Sequence, residues 1–194
     1  MRQVLIVMFD GVQSLDVTGP LEVFAGANSR RASRGQACVY DIRTASLGGQ
    51  VVRTSSGLRL TPDEDLRGPR PDLDVLIVPG GEGARQPDAE LISWLRTHGR
   101  RSEQLVSVCT GAFLLAEAGL LDGRRVTTHW AYCSLLAASF SDISVDPDPI
   151  FVRDGNVITS AGVTAGIDLA LALVEDGLGR ETALDIARYL VVFL

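Results

Sequence analysis

The chain contains no lysine: all 18 of its basic side chains are arginine, set against 24 acidic ones for a net charge of −6. The missing lysine reads as the codon bias of a GC-rich genome rather than as chemistry. The acidic balance does have a consequence, because a surface that grips nucleic acid must neutralise phosphates with cations. Cysteine is scarce, with Cys38, Cys109 and Cys133 the full set. Three unevenly spaced thiols exclude a disulfide framework and fit a reducing cytoplasm. Two histidines and no Cys-x-x-Cys argue against a zinc site, so no metal is expected. The glycine-rich loops that cradle nucleotide phosphates are missing, and no cofactor is expected. No apolar run nears the ~20 residues of a membrane span. Met1-Arg2-Gln3-Val4-Leu5 enters a strand pattern without the features of a signal peptide. A cytoplasmic protein with no membrane partner is the expectation.

What the chain does have is apolar residue in quantity, 46% of its 194 positions, with 22% charged. That composition dictates a packed core rather than disorder. One domain, residues 1–194, is expected, burying about 70% of its unfolded surface. Unbroken apolar runs at 3–9 (QVLIVMF) and 74–78 (DVLIV) fit strands covered on both faces, and 38–45 and 105–108 extend the set. Helical patterns fall at 20–27, 88–101, 110–118, 131–138, 165–174 and 181–194. Thr18 is placed to cap the first of them, with Pro20 in its first turn. Two short strands flank Ser56-Gly57, 125–128 resembles a strand end, and 150–159 reads as a hairpin turning at Asp154-Gly155. Strands alternating with helices of about 10–15 residues define an α/β fold: an open, doubly wound, mostly parallel sheet with helices on both faces. Such sheets bind ligands beyond the carboxyl ends of their strands. Three strand-to-helix junctions carry chemistry-bearing residues: 9–20, 78–83 and 108–113.

The most informative junction is Val106-Ser107-Val108-Cys109-Thr110-Gly111-Ala112, where a strand stops at a cysteine and a small-residue helix starts at once. This is the pattern of a nucleophile elbow, and Gly111 and Ala112 permit its close packing. A cysteine there meets the positive end of the helix dipole, which favours the thiolate. The Thr110 N–H is placed to stabilise a developing anion, with the Gly81 N–H of Pro79-Gly80-Gly81 as second donor. Asp16 and Glu22 could bring carboxylates over the strand ends for acid/base work. His129 could serve as base to Cys109, or simply pack on Trp130. The plainer readings are a buried cysteine, a glycine turn and a helix cap at Asp16 or Thr18. Asp10 reads as a turn residue, His98 as a helix-end partner of the dipole, and Cys38 and Cys133 as core residues.

Together these segments resemble the ThiJ/PfpI superfamily, of class I glutamine-amidotransferase-like fold. The resemblance rests on Phe9-Asp10-Gly11, Leu15-Asp16-Val17-Thr18-Gly19-Pro20, Val78-Pro79-Gly80-Gly81, Cys109-Thr110-Gly111-Ala112, Thr128-His129-Trp130 and the stretch 159–168. One branch with these motifs, isonitrile hydratase, implies Cys109 as nucleophile, Asp16 as acid/base and Thr110 as an assisting residue. The other, the N-terminal domain of AraC-family transcription regulators, implies a module that senses a small molecule and forms a homodimer. Its DNA contact would lie in a separate C-terminal helix-turn-helix domain. Thr110 replaces the histidine that follows the cysteine in the protease-like branch, so peptidase chemistry is not expected. Residues 173–194 resemble the lead into the regulators' DNA-binding half, and 190–194 are apolar with no stop signal. A longer regulator is therefore the expectation, with Gly80, Gly81, Thr110 and His129 about its ligand. The hydratase is the alternative.

Overall fold

A computed structural model describes residues 1–192. In chain order its elements begin β1 (Arg2–Val7), α1 (Ser14–Ser33), β2 (Tyr40–Ser46), β3 (Val52–Arg53), β4 (Arg59–Leu60), β5 (Glu64–Asp65) and β6 (Val75–Val78). They continue α2 (Ala89–Gly99), β7 (Gln104–Val108), α3 (Gly111–Glu117), β8 (Arg125–Val126), α4 (Cys133–Ser139) and β9 (Ser144–Val145). Last come β10 (Phe151–Asp154), β11 (Val157–Ser160), α5 (Ala165–Leu178) and α6 (Arg180–Tyr189).

Among the described residues a seven-stranded sheet runs in the order β10-β11-β7-β6-β1-β2-β5. Every pair in it is parallel except the β10–β11 hairpin. Alternate residues of its central strands point to opposite faces. Val4, Ile6, Ile77, Val106 and Val108 pack into one core with Phe24 of α1, Leu169 of α5 and Ile186 of α6. Leu5, Val7, Leu76, Val78 and Leu105 pack into a second core with Leu91 and Leu95 of α2 and Leu114 of α3. Helices thus cover both faces, which is the doubly wound fold read from the sequence. The strands flanking Ser56-Gly57 pair as β3–β4, and the 150–159 hairpin turns after Asp154 as expected. No helix of the described residues is long and apolar enough to cross a membrane.

Several helix boundaries differ from expectation: α1 also runs on past Ala27 to Ser33, α4 begins at Cys133 rather than Ala131, and α5 runs on past Val174 to Leu178. The first helix starts at Ser14, six residues before Pro20, and Gln13 rather than Thr18 is its N-cap. Thr18 instead bonds back to the Ser14 carbonyl at 3.0 Å, and Pro20 lies buried inside the helix. The cause is tertiary. The β1–α1 loop is fastened to the loop after β6: Gln13 N–H donates to Gly80 O at 2.8 Å, and Val12 bridges Gly81. That clip begins the helix early and places Asp16 in its first turn. The last helix ends at Tyr189. The part of its expected extent at Phe193 and Leu194 lies outside the described residues.

Candidate functional site

Chain segments distant in sequence meet beyond the carboxyl ends of β1, β6, β7 and β11. At their centre is Cys109, whose φ of +56° is rare for a side-chain-bearing residue and marks a sharp strand-to-helix turn. Its N–H donates to Ser160 O at 3.1 Å, and its carbonyl accepts from Thr128 Oγ1 at 2.8 Å. The turn is as tight as the sequence implied. A Cβ on Gly111 would stand 2.1 Å from the Val78 carbonyl oxygen, and one on Gly80 would stand 2.5 Å from the Thr110 nitrogen.

Asp16 is fully buried beside this turn. Its Oδ2 accepts from Gly80 N–H at 2.9 Å, while Oδ1 has no partner. Burial, only partly offset by the Gly80 hydrogen bond, pushes its carboxyl up to about 7.

Cys109, 7% exposed, does not behave as the helix dipole alone predicted. Burial, and next the Asp16 charge, push its thiol up to about 11. Hydrogen bonds from Thr110 and from the Val163 N–H favour the thiolate and are outweighed. The helix beyond the cysteine, α3, spans only seven residues, so its dipole has little to set against a buried carboxylate. The expected low-pKa thiolate is therefore corrected to a resting thiol.

The pair titrates as a unit. The first proton leaves chiefly from Asp16 near neutrality, and the charge it leaves behind opposes ionisation of the Cys109 thiol. The rise of thiolate with pH is therefore expected to show a step near pH 7, where Asp16 ionises, below the main thiol titration.

Gly80 and Gly81 are used differently from expectation. The Gly80 N–H is committed to Asp16, and the Gly81 N–H donates to Thr110 Oγ1 at 2.9 Å, so it is not free as a second anion donor. The Thr110 hydroxyl returns a bond to Gly81 O at 3.1 Å. The glycines are struts that lock the β6 loop to the elbow. At the sulfur, the Thr110 N–H and hydroxyl and the Val163 N–H are the groups that favour the thiolate.

His129 stands at the rim, half-buried, its Cδ2 close against Gly162. Its Nδ1 accepts from Ala131 N–H at 3.3 Å, so the neutral ring carries its hydrogen on Nε2 and offers a donor rather than a base. The ring tilts against Trp130 and Tyr132 at centroid distances of 5.5 and 5.7 Å. Glu22 is exposed on α1 and takes no part, and Asp10 is an exposed turn residue accepting from Arg53 N–H at 2.8 Å. His98 stacks on Trp94 at 4.1 Å in the last turn of α2. Cys133 is buried as expected, but Cys38 is exposed, in the loop before β2.

The contributions of Val163 and Ser160 were not visible in sequence, because each acts through its backbone. Thr128 was visible only as part of a motif without a role.

A cysteine on a strained strand-to-helix turn of a doubly wound sheet, with a buried carboxyl from the first helix beside it, defines a cysteine-elbow α/β protein. The chain belongs to the DJ-1/PfpI family, whose description matches residues 2–176. It is 38% identical to an isonitrile hydratase from Pseudomonas putida, over 93% of this chain and 74% of that protein. It is 36% identical to the HTH-type transcriptional regulator CdhR of Pseudomonas aeruginosa, over 84% of this chain but only 48% of the regulator. A solved ThiJ/PfpI family protein from Pseudomonas syringae superposes with a TM-score of 0.84 at 30% identity, covering 97% of this chain and 74% of that one.

Proposed function

We propose that this chain is the ligand-sensing domain of an AraC-type transcription regulator, in which a small molecule engages the Cys109 site. The observation that carries this reading is its kinship, over most of its length, with one half of a helix-turn-helix regulator. The net charge of −6 fits a module that leaves DNA contact to a separate C-terminal domain. The site suits sensing. With Asp16 fully buried and Cys109 nearly so, entry of a ligand must displace the walls around them, and displaced walls are what a neighbouring domain can feel. A cytoplasmic homodimer, expected from the same branch of the family, completes the proposal.

A second reading, an isonitrile hydratase-like enzyme, is favoured by the free Oδ1 of Asp16 beside the thiol. In it the Cys109 sulfur attacks the isonitrile carbon, and a proton delivered by Asp16 completes a thioimidate. Water then adds to that carbon, the carbon–sulfur bond breaks, and the N-substituted formamide leaves with the thiol restored.

Two measurements separate the readings. Intact mass of the natural gene product shows whether it exceeds what 194 residues weigh. An alkyl isonitrile is then offered and formamide followed by NMR. A heavier protein without turnover supports the sensor. Turnover that disappears in Cys109→Ala overturns a purely regulatory role.

A further inference from the structure

We infer that Thr128 is a positioning residue for Cys109: its hydroxyl grips the Cys109 carbonyl and so aims the peptide group that faces the sulfur. The inference rests on Cys109 being the group that reacts.

Both partners are buried, Thr128 completely, and the bond between them is 2.8 Å long. The geometry gives that bond more work than satisfying a carbonyl. The Cys109 C=O and the Thr110 N–H belong to one planar peptide unit and point in opposite directions. Fixing the carbonyl on the Thr128 side therefore fixes the N–H on the site side, where it lies against the sulfur. A donor on the carbonyl also polarises the unit and strengthens the N–H as a donor.

The left-handed backbone at Cys109 is disfavoured for a residue with a Cβ and must be held from both ends. Ser160 O holds the preceding peptide at 3.1 Å, and Thr128 holds the following one. Without Thr128, the 109–110 peptide is free to rotate towards an unstrained conformation. That rotation withdraws the Thr110 N–H and carries the sulfur away from Asp16, the charged group acting on it.

Thr128 is itself anchored. The neighbouring Thr127 N–H donates to Thr159 Oγ1 on β11 at 2.8 Å, and Cys133 Sγ donates to Thr128 O at 3.5 Å. The hydroxyl thus hangs from a rigid support.

The test is the iodoacetamide alkylation rate of Cys109, read by peptide mass spectrometry from mildly acidic to mildly alkaline pH. A Cys38→Ser background removes the exposed thiol. The parent is expected to show the step near pH 7 set by Asp16. Thr128→Val, of the same shape but without the donor, is expected to lose the step near pH 7. Thr128→Ser, which keeps the hydroxyl, is expected to restore it. Thr128→Ala takes the place of the valine variant if the latter does not fold.

A hydroxyl-free variant that is less stable yet keeps the step overturns the positioning role, because a purely structural threonine would alter stability alone. A parent profile without the step overturns the Asp16–Cys109 coupling itself, and the inference with it.

Discussion

Asp16 and Cys109 constrain each other at the scale of single residues, and the constraint can be read by replacing either one. Asp16→Asn removes the charge while leaving the burial. The neutral-pH step in Cys109 alkylation is expected to vanish, with one thiol titration remaining below the parent value of about 11. A step that survives the substitution would assign it to another group. Gly80→Ala tests the fit of the elbow. The new methyl would stand 2.5 Å from the Thr110 nitrogen and 2.9 Å from Cys109 Cβ, a clash worth about 1–3 kcal/mol. A fall in the urea midpoint together with slower alkylation is the expected result. The elbow cysteine, its partner carboxyl and the crowding glycines were legible in sequence because each is a residue type placed at a strand end. The protonation state was not, because burial and a neighbour 93 positions away in the chain decide it (Asp16 against Cys109).

Among the secondary-structure elements, the clip between the β1–α1 loop and the β6 loop is the decisive contact. Gly81 sits at φ +130°, and a Cβ there would stand 2.2 Å from the Gly11 carbonyl oxygen. Gly81→Ala is expected to cost about 2–4 kcal/mol, from backbone strain and overpacking together. It should also free the start of α1, so that Asp16 leaves the Gly80 N–H and the alkylation step weakens. Amide hydrogen exchange across residues 12–18 checks this: unchanged protection there would refute the clip. The same contact explains the missed start of α1. Pro20 resembles a first-turn proline, and only the pairing with residues 80–81 shows that the helix is already under way. The central β strands were read closely because their apolar runs carry the signal locally, while the two-residue β5 and β9 carry no such run and were missed; this helix boundary is set by a partner more than 60 residues away.

For the whole molecule, the raised Asp16 carboxyl makes stability depend on pH. Its ordinary value is 3.8 and its folded value about 7, so between these limits the folded chain keeps a proton that the unfolded chain has released. Stability contributed by that proton is complete below the lower limit and is lost as pH rises through the upper one. At about 1.36 kcal/mol per unit the loss approaches about 4 kcal/mol. Asp16→Asn should therefore gain on the parent as pH rises from 3.8 to about 7 and hold that gain above it, measured by urea unfolding, and parallel pH dependences would exclude the assignment. The sheet itself adds a consequence in time. β11 supplies both the strand that flanks β7 and the Ser160 carbonyl that holds Cys109, yet it is made some fifty residues after the cysteine. During synthesis or refolding Cys109 is an ordinary open thiol until that late strand docks, and parallel strand pairing between distant segments is slow. The cysteine is thus a built-in clock. The moment at which its labelling slows marks the closing of the sheet, and a chain stalled before β11 would carry its most consequential side chain unshielded.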